Sequence, residues 1–146
     1  MTKSQLIHRE ITQSVISAFY EVYNTLGFGF LEHIYALALE YELKLRGHSV
    51  GREVWVVVDY KGFELGRQRI DLIVDEKVVV EVKSTATLPA YSARQLYNYL
   101  HATHLDVGLL VHFGPKAEFQ RIVCTTRRSR SAKSARSVKS ASPRRS

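Results

Sequence analysis

The chain has 146 residues, 45% of them hydrophobic, which is enough for one domain with a real core. No apolar run approaches the ~20 residues of a membrane helix, and the start, Met-Thr-Lys-Ser-Gln, lacks the apolar segment of a signal peptide. The lone cysteine, Cys124, excludes an internal disulfide and a cysteine-rich zinc site, so a reducing, cytoplasmic setting without a membrane partner is expected.

In chain order, Leu6, Ile11, Val15, Phe19, Val22, Tyr23 and Leu26 fall at helical spacings and predict a helix from about Ser4 to Leu26, stopped by Gly27. Its role reads as packing, with His8 at the surface. Phe28-Gly29-Phe30 is a short connector in which Gly29 reads as a device for close backbone approach. A second helix is expected from about Leu31 to Arg46, closed by Gly47. Glu32 and Tyr35 share a face in its first turn, where the helix dipole alone already favours a carboxylate. Strands follow near Val50 to Tyr60 and Phe63 to Val74, turned by Lys61-Gly62. Trp55 reads as core or rim, and Arg67 and Arg69 share the strand parity of Asp71. After Lys83, a loop leads through a possible N-cap at Ser92 into a helix from about Ala93 to Ala102, with Gln95 and Tyr99 on one face. His101 and His104 have helical metal-ligand spacing but no evident third ligand. Val107 to Phe113 reads as a buried strand containing His112, read as a satisfied core or rim histidine, and Phe119 to Cys124 as an edge strand.

The net charge of +7 is located entirely at the end of the chain. Thr125 to Ser146 holds eight Lys or Arg and no acid, against thirteen basic and fourteen acidic residues elsewhere. With almost nothing apolar, this segment cannot offset its ordering entropy and is expected to be a disordered tail, which divides the chain into a domain over 1–124 and a tail over 125–146. The tail is either a polycation adding salt-sensitive attraction to nucleic acid or a solubilising extension.

The chemistry concentrates between Arg67 and Ser84. Ile70, Leu72, Ile73 and Val74, then Val78, Val79, Val80 and Val82, read as two strands covered on both faces, with Asp75, Glu76 and Lys77 as the hairpin loop. If Val74 faces Val78, antiparallel counting sets Asp71 opposite Glu81, and alternation sends Lys83 to the same face as Glu81. Buried charges cost several kcal/mol each unless paired or holding an ion. The cluster therefore reads either as a site for a divalent cation such as magnesium or manganese, or as a structural salt-bridge network.

These residues resemble a known pattern. Ile70-Asp71, nine residues, then Glu81-Val82-Lys83 is similar to the motif of the PD-(D/E)XK nuclease superfamily, with Ile where that name has Pro. Gly29, Glu32 and Tyr35 fit the GxxExxY pattern of a small family placed within it, and Gln95 with Tyr99 resembles the QxxxY motif of some nuclease branches. The resemblance implies an α/β fold of the restriction-endonuclease type, an αβββαβ core with a mixed central sheet flanked by helices, here with one extra helix and one extra strand. It implies a Mg2+- or Mn2+-dependent nuclease, DNA favoured over RNA. Asp71, Glu81 and the Val82 carbonyl would hold the metal, Glu32 would complete the shell, and Lys83 would orient or activate water. Gln95, Tyr99 and Arg69 would contact substrate, and Tyr35 would bond either the substrate or the Glu32 carboxylate, the alternative being a packed helix tyrosine. The alternatives are a non-catalytic nucleic-acid-binding module of the same fold, and a protein-interaction or homodimerising domain whose buried charges are structural.

Overall fold

The computed structural model describes residues 2–3, 7–125 and 138–140. Its elements are helices α1 (Arg9–Leu26), α2 (Glu32–Leu45) and α3 (Ser92–Thr103) and strands β1 (Val50–Tyr60), β2 (Phe63–Val74), β3 (Val78–Lys83), β4 (Val107–Phe113), β5 (Ala117–Val123) and β6 (Val138–Ser140). The expected αβββαβ order runs from α2 to β4, preceded by α1 and followed by β5. In the sheet the order is β5-β4-β3-β2-β1-β6. Among the described strands only β3 and β4 pair in parallel, across the α3 crossover, so the sheet is mixed as expected.

Burial explains the layers. Along α1, Thr12, Val15, Ala18, Phe19 and Val22 are buried, and Gly27 ends the helix with φ 74°, its N–H donating to the Tyr23 carbonyl. Beneath α1 and α2, Leu72, Val74, Val78, Val80, Val82, Leu109, Val111 and Phe113 form one core. On the opposite face, α3 lays Leu96, Tyr99 and Leu100 against Val54, Val56, Ile73, Val79 and Leu110. With helices on both faces, β4 is buried at every residue and β3 at all but Lys83, as expected for the interior strands of such a sheet. The second core depends on a close approach: a Cβ on Gly108 would lie 2.9 Å from the Leu96 side chain.

Several expectations shift in detail. The first helix begins at Arg9, after a left-handed His8 (φ 52°), while Ser4 to Leu6 lie outside the described residues. Gly29 has φ 117° and nothing within 4 Å of an added Cβ, so it serves a backbone conformation and no close approach. Ser92 is the first residue of α3, its N-cap being Tyr91; Ser92 is buried and its Oγ has no hydrogen-bond partner among the described residues. The β2–β3 loop turns on Asp75 and Glu76, both left-handed (φ 53° and 58°), the conformation a tight hairpin demands. Of the basic tail, Thr125 and Val138–Ser140 are described, the latter as a short strand antiparallel to β1; the rest of the segment expected to be disordered lies outside the described residues.

Candidate functional site

The β2–β3 ladder pairs Val74 with Val78, Ile73 with Val79 and Leu72 with Val80. At the next position, Asp71 and Glu81 replace it with side-chain bonds. The Asp71 N–H donates to Glu81 Oε1 at 3.2 Å, and the Val82 N–H donates to Asp71 Oδ2 at 2.8 Å. Each carboxylate thus occupies one oxygen with the opposite strand's backbone and keeps the other oxygen for a ligand.

A second irregularity coincides with the first. Leu72 and Val74 belong to the core under α1 and α2, whereas Ile70 packs in the α3 core, so side-chain alternation reverses across Asp71. The partner strand pairs Arg52 with Leu72 and Val54 with Ile70; between them Glu53 adopts a left-handed backbone (φ 57°), a conformation that costs a non-glycine residue about 1 kcal/mol or more. The reversal opens a cavity of about 200 Å³ lined by Glu32, His33, Ala36, Arg52, Glu53, Arg69 and Asp71.

Helix α2 contributes Glu32 as its first residue, at the positive end of the helix dipole. Its carboxyl is raised from its ordinary value by partial burial, against the opposing pull of the Lys83 charge and a hydrogen bond from the Ser84 backbone N–H. Asp71 is raised by burial, with the Val82 N–H, Lys83 and Arg69 acting the other way. Glu81, buried in the sheet, is pushed up to about 8 by burial and then by the neighbouring Asp71 charge. From the α3 side, the Tyr99 hydroxyl donates to Gln68 Oε1 at 3.1 Å and is pushed up to about 12 by burial and by the charges of Glu81 and Asp71.

Glu32, Asp71, Glu81, Lys83, Arg69 and Tyr99, all singled out by the sequence pattern, therefore share one electrostatic neighbourhood. Arg69 is exposed at the rim, 3.5 Å from Glu53. Gln95 is half-buried, one turn before Tyr99 on α3. Tyr35 is not brought to the site: of its alternatives, the structure has the packed helix tyrosine and not the substrate contact. It is wholly buried, its ring stacked on Phe113 at 4.1 Å, and its hydroxyl donates to the Gly27 carbonyl and accepts the Phe30 N–H. Its partners hold the connector that places Glu32. His112 is buried as expected, with Nε2 2.7 Å from the Thr85 carbonyl; Nδ1 has no hydrogen-bond partner among the described residues. Sequence reasoning missed Glu53, Arg52, His33 and Gln68. A left-handed glutamate inside an apolar strand leaves no signal, since nothing local distinguishes it from Asp59 or Glu64.

Among the described residues no three His, Cys, Asp or Glu side chains are gathered closely enough to hold a metal ion as they stand. The donor chemistry nevertheless fits a hard cation: burial raises the proton affinity of the half-buried Asp71 and of the buried Glu81, the Asp71 charge raises that of Glu81 further, and each carboxylate has an oxygen outside these two backbone bonds. A divalent charge at that point would relieve both.

Comparison with known proteins gives two findings. A family model described as the PD-(D/E)XK nuclease superfamily matches residues 9–122. The crystal structure of SSO0001 is similar with a TM-score of 0.51 and 24% identity, over 63% of this chain and 50% of that one. This chain thus spans about half the length of that protein, and the likeness shows the fold alone. Curated proteins yield no match.

Proposed function

Since the chain belongs to the PD-(D/E)XK nuclease superfamily, we propose that it is a divalent-cation-dependent phosphodiesterase acting on nucleic acid, DNA in preference to RNA. The spacing of Gly29, Glu32 and Tyr35 supports membership of the GxxExxY group within that superfamily. The observation that carries the proposal is the mutual clasp of Asp71 and Glu81 beside Lys83, where the sheet ladder breaks. Burial outweighs the Lys83 charge at both carboxylates, which leaves them with a raised proton affinity that a divalent cation would relieve.

The free oxygens of Asp71 and Glu81, with the Val82 carbonyl, would hold magnesium or manganese, and Glu32 would complete the shell or take a second ion. Such an ion supplies Lewis-acid polarisation of the scissile phosphate and lowers the proton affinity of water. Lys83 orients the attacking water and balances negative charge developing on the phosphoryl oxygens. Arg69 neutralises a neighbouring phosphate at the rim, and Gln95 and Tyr99 grip the substrate from the α3 side. The eight basic residues that follow Cys124 add a salt-dependent attraction that carries no sequence preference.

The test is cleavage of labelled single-stranded, duplex and branched DNA and of RNA in magnesium, manganese or EDTA, with wild type and Glu81→Ala. Metal-dependent cleavage lost in the variant is the expected result. Binding without cleavage of every substrate would overturn the enzymatic reading in favour of a binding module.

A further inference from the structure

Helix α2 is apolar around most of its circumference. Tyr35, Leu39 and Leu43 fill the core on one side. On the other side Leu31, Ile34, Ala38, Tyr41 and Leu45 follow one another at intervals of three and four residues, the spacing of a coiled-coil seam. Ala38 is half-buried, whereas Leu31 is 77% exposed, Tyr41 68% and Leu45 66%, with Ile34 and Leu37 also open to water. A helix with apolar residues on both sides belongs in an interior, not on a surface.

The flanking charges do not call for a charged partner. Lys44 is paired with Glu40 at 2.9 Å and Arg46 with Glu42 at 2.8 Å, so the edges of the seam are neutralised within the helix itself. The area fits a protein interface. At roughly 200 Å² for a large apolar side chain, Leu31, Ile34, Leu37, Tyr41 and Leu45 expose on the order of 500 Å². The half-exposed Phe28 and Phe30 in the adjoining connector raise this towards the roughly 800 Å² per partner of a standard stable interface.

The sequence of the seam also fits itself. Two copies of α2 laid antiparallel, with the two-fold axis between Ala38 and Tyr41, set Ile34 against Leu45 of the second copy and the small Ala38 against the large Tyr41. Both layers then occur twice, and each combines positions that face one another in an antiparallel coiled coil. The helix dipoles oppose as well. We infer that the outer face of α2 is a homodimer interface in which this helix pairs antiparallel with α2 of a second copy of the chain. Because Glu32 begins the same helix, the pairing also fixes the spacing of the two sites, a consequence independent of whether those sites cleave nucleic acid.

Sedimentation velocity on the full chain tests this. Wild type is expected to sediment as a dimer at micromolar concentration. Tyr41→Glu and Ile34→Glu, both on the exposed face, are expected to weaken dimerisation by at least ~30-fold and give monomers with unchanged circular dichroism. A wild type that remains monomeric over the accessible concentration range, or either variant remaining dimeric, overturns the proposal. Cysteine cross-linking tests the orientation. The double variant Ile34→Cys/Leu45→Cys is expected to form a disulfide-linked dimer on mild oxidation, while each single variant does not, its two thiols lying roughly 16 Å apart along the axis. Cross-linking in a single variant but not in the double would refute the antiparallel arrangement.

Discussion

Replacing Glu81 by Gln separates the charge of this carboxyl from its shape. The amide keeps an oxygen to accept the Asp71 N–H and turns an N–H2 group towards the Asp71 carboxylate. In wild type without metal, burial and Asp71 push Glu81 from 4.5 to about 8. Between those two values the folded protein holds a proton that the unfolded chain releases, so rising pH favours the unfolded state. At about 1.36 kcal/mol per pH unit, the ceiling on this loss is about 5 kcal/mol. Water entering the cavity and relaxation of the strands bring the measurable difference to on the order of 2 kcal/mol.

Metal-free Glu81→Gln is therefore expected to be more stable than wild type at pH 8 by about 2 kcal/mol, or roughly 6–10 °C in Tm, and no more stable at pH 5. Urea unfolding followed by circular dichroism, at both pH values and in EDTA, measures it. Adding magnesium or manganese should raise wild-type stability by about 2.7 kcal/mol at a hundredfold excess over Kd, and should raise the variant's less. Parallel pH dependences for the two proteins would refute the electrostatic account of the pair. An equal gain from the cation would refute Glu81 as its ligand.

Lys83→Ala should abolish cleavage while leaving the circular dichroism spectrum unchanged; an unaltered rate would remove this ammonium from the mechanism. Tyr35→Phe should cost on the order of 1–2 kcal/mol in urea unfolding, because the Gly27 carbonyl and Phe30 N–H lose their shared partner. Its nucleic-acid affinity should match wild type, and a weakened affinity at unchanged stability would show a substrate contact instead. Gly108→Ala should destabilise by about 1–3 kcal/mol through the collision with Leu96; a neutral result would mean that α3 can shift outward freely.

The fold was legible because its signals are local. The β-branched run around Val54, Val56 and Val58, the Lys61-Gly62 turn, and the polar break at Asp75-Glu76-Lys77 each follow from composition or turn chemistry, and the strands lie where those signals place them. The β2–β3 register followed from the loop alone, since a three-residue turn leaves Val74 and Val78 as the closing pair. What surrounds Asp71 was less legible. Tyr35 has the spacing of a site residue, but whether its hydroxyl faces substrate or the preceding connector depends on a backbone path through Gly27 and Gly29 that tertiary packing sets. Likewise, Arg52 reads as one more strand residue until the fold brings it to Glu40 at 2.8 Å. Long-range partners of this kind are not encoded in any window of sequence.

The position of the carboxylates follows from what a sheet can offer. A regular ladder leaves no backbone N–H free to bind a side chain, and it buries a charge between two apolar layers without compensation. Here the strands stop pairing after Leu72 and Val80, which frees the N–H groups of Asp71 and Val82 to hold Glu81 and Asp71 in place. The reversal of alternation at Glu53 and Asp71 turns the opened edge towards α2 and Glu32, while Tyr99 closes it from α3. A flat, fully paired sheet with the same residues would keep Asp71 and Glu81 together on the face towards α3, away from Glu32 on α2. The local loss of ladder bonds is thus what lets Asp71 and Glu81 each hold the opposite strand's backbone, and strands β3 and β4, buried throughout except at Lys83, supply the rigidity that offsets it.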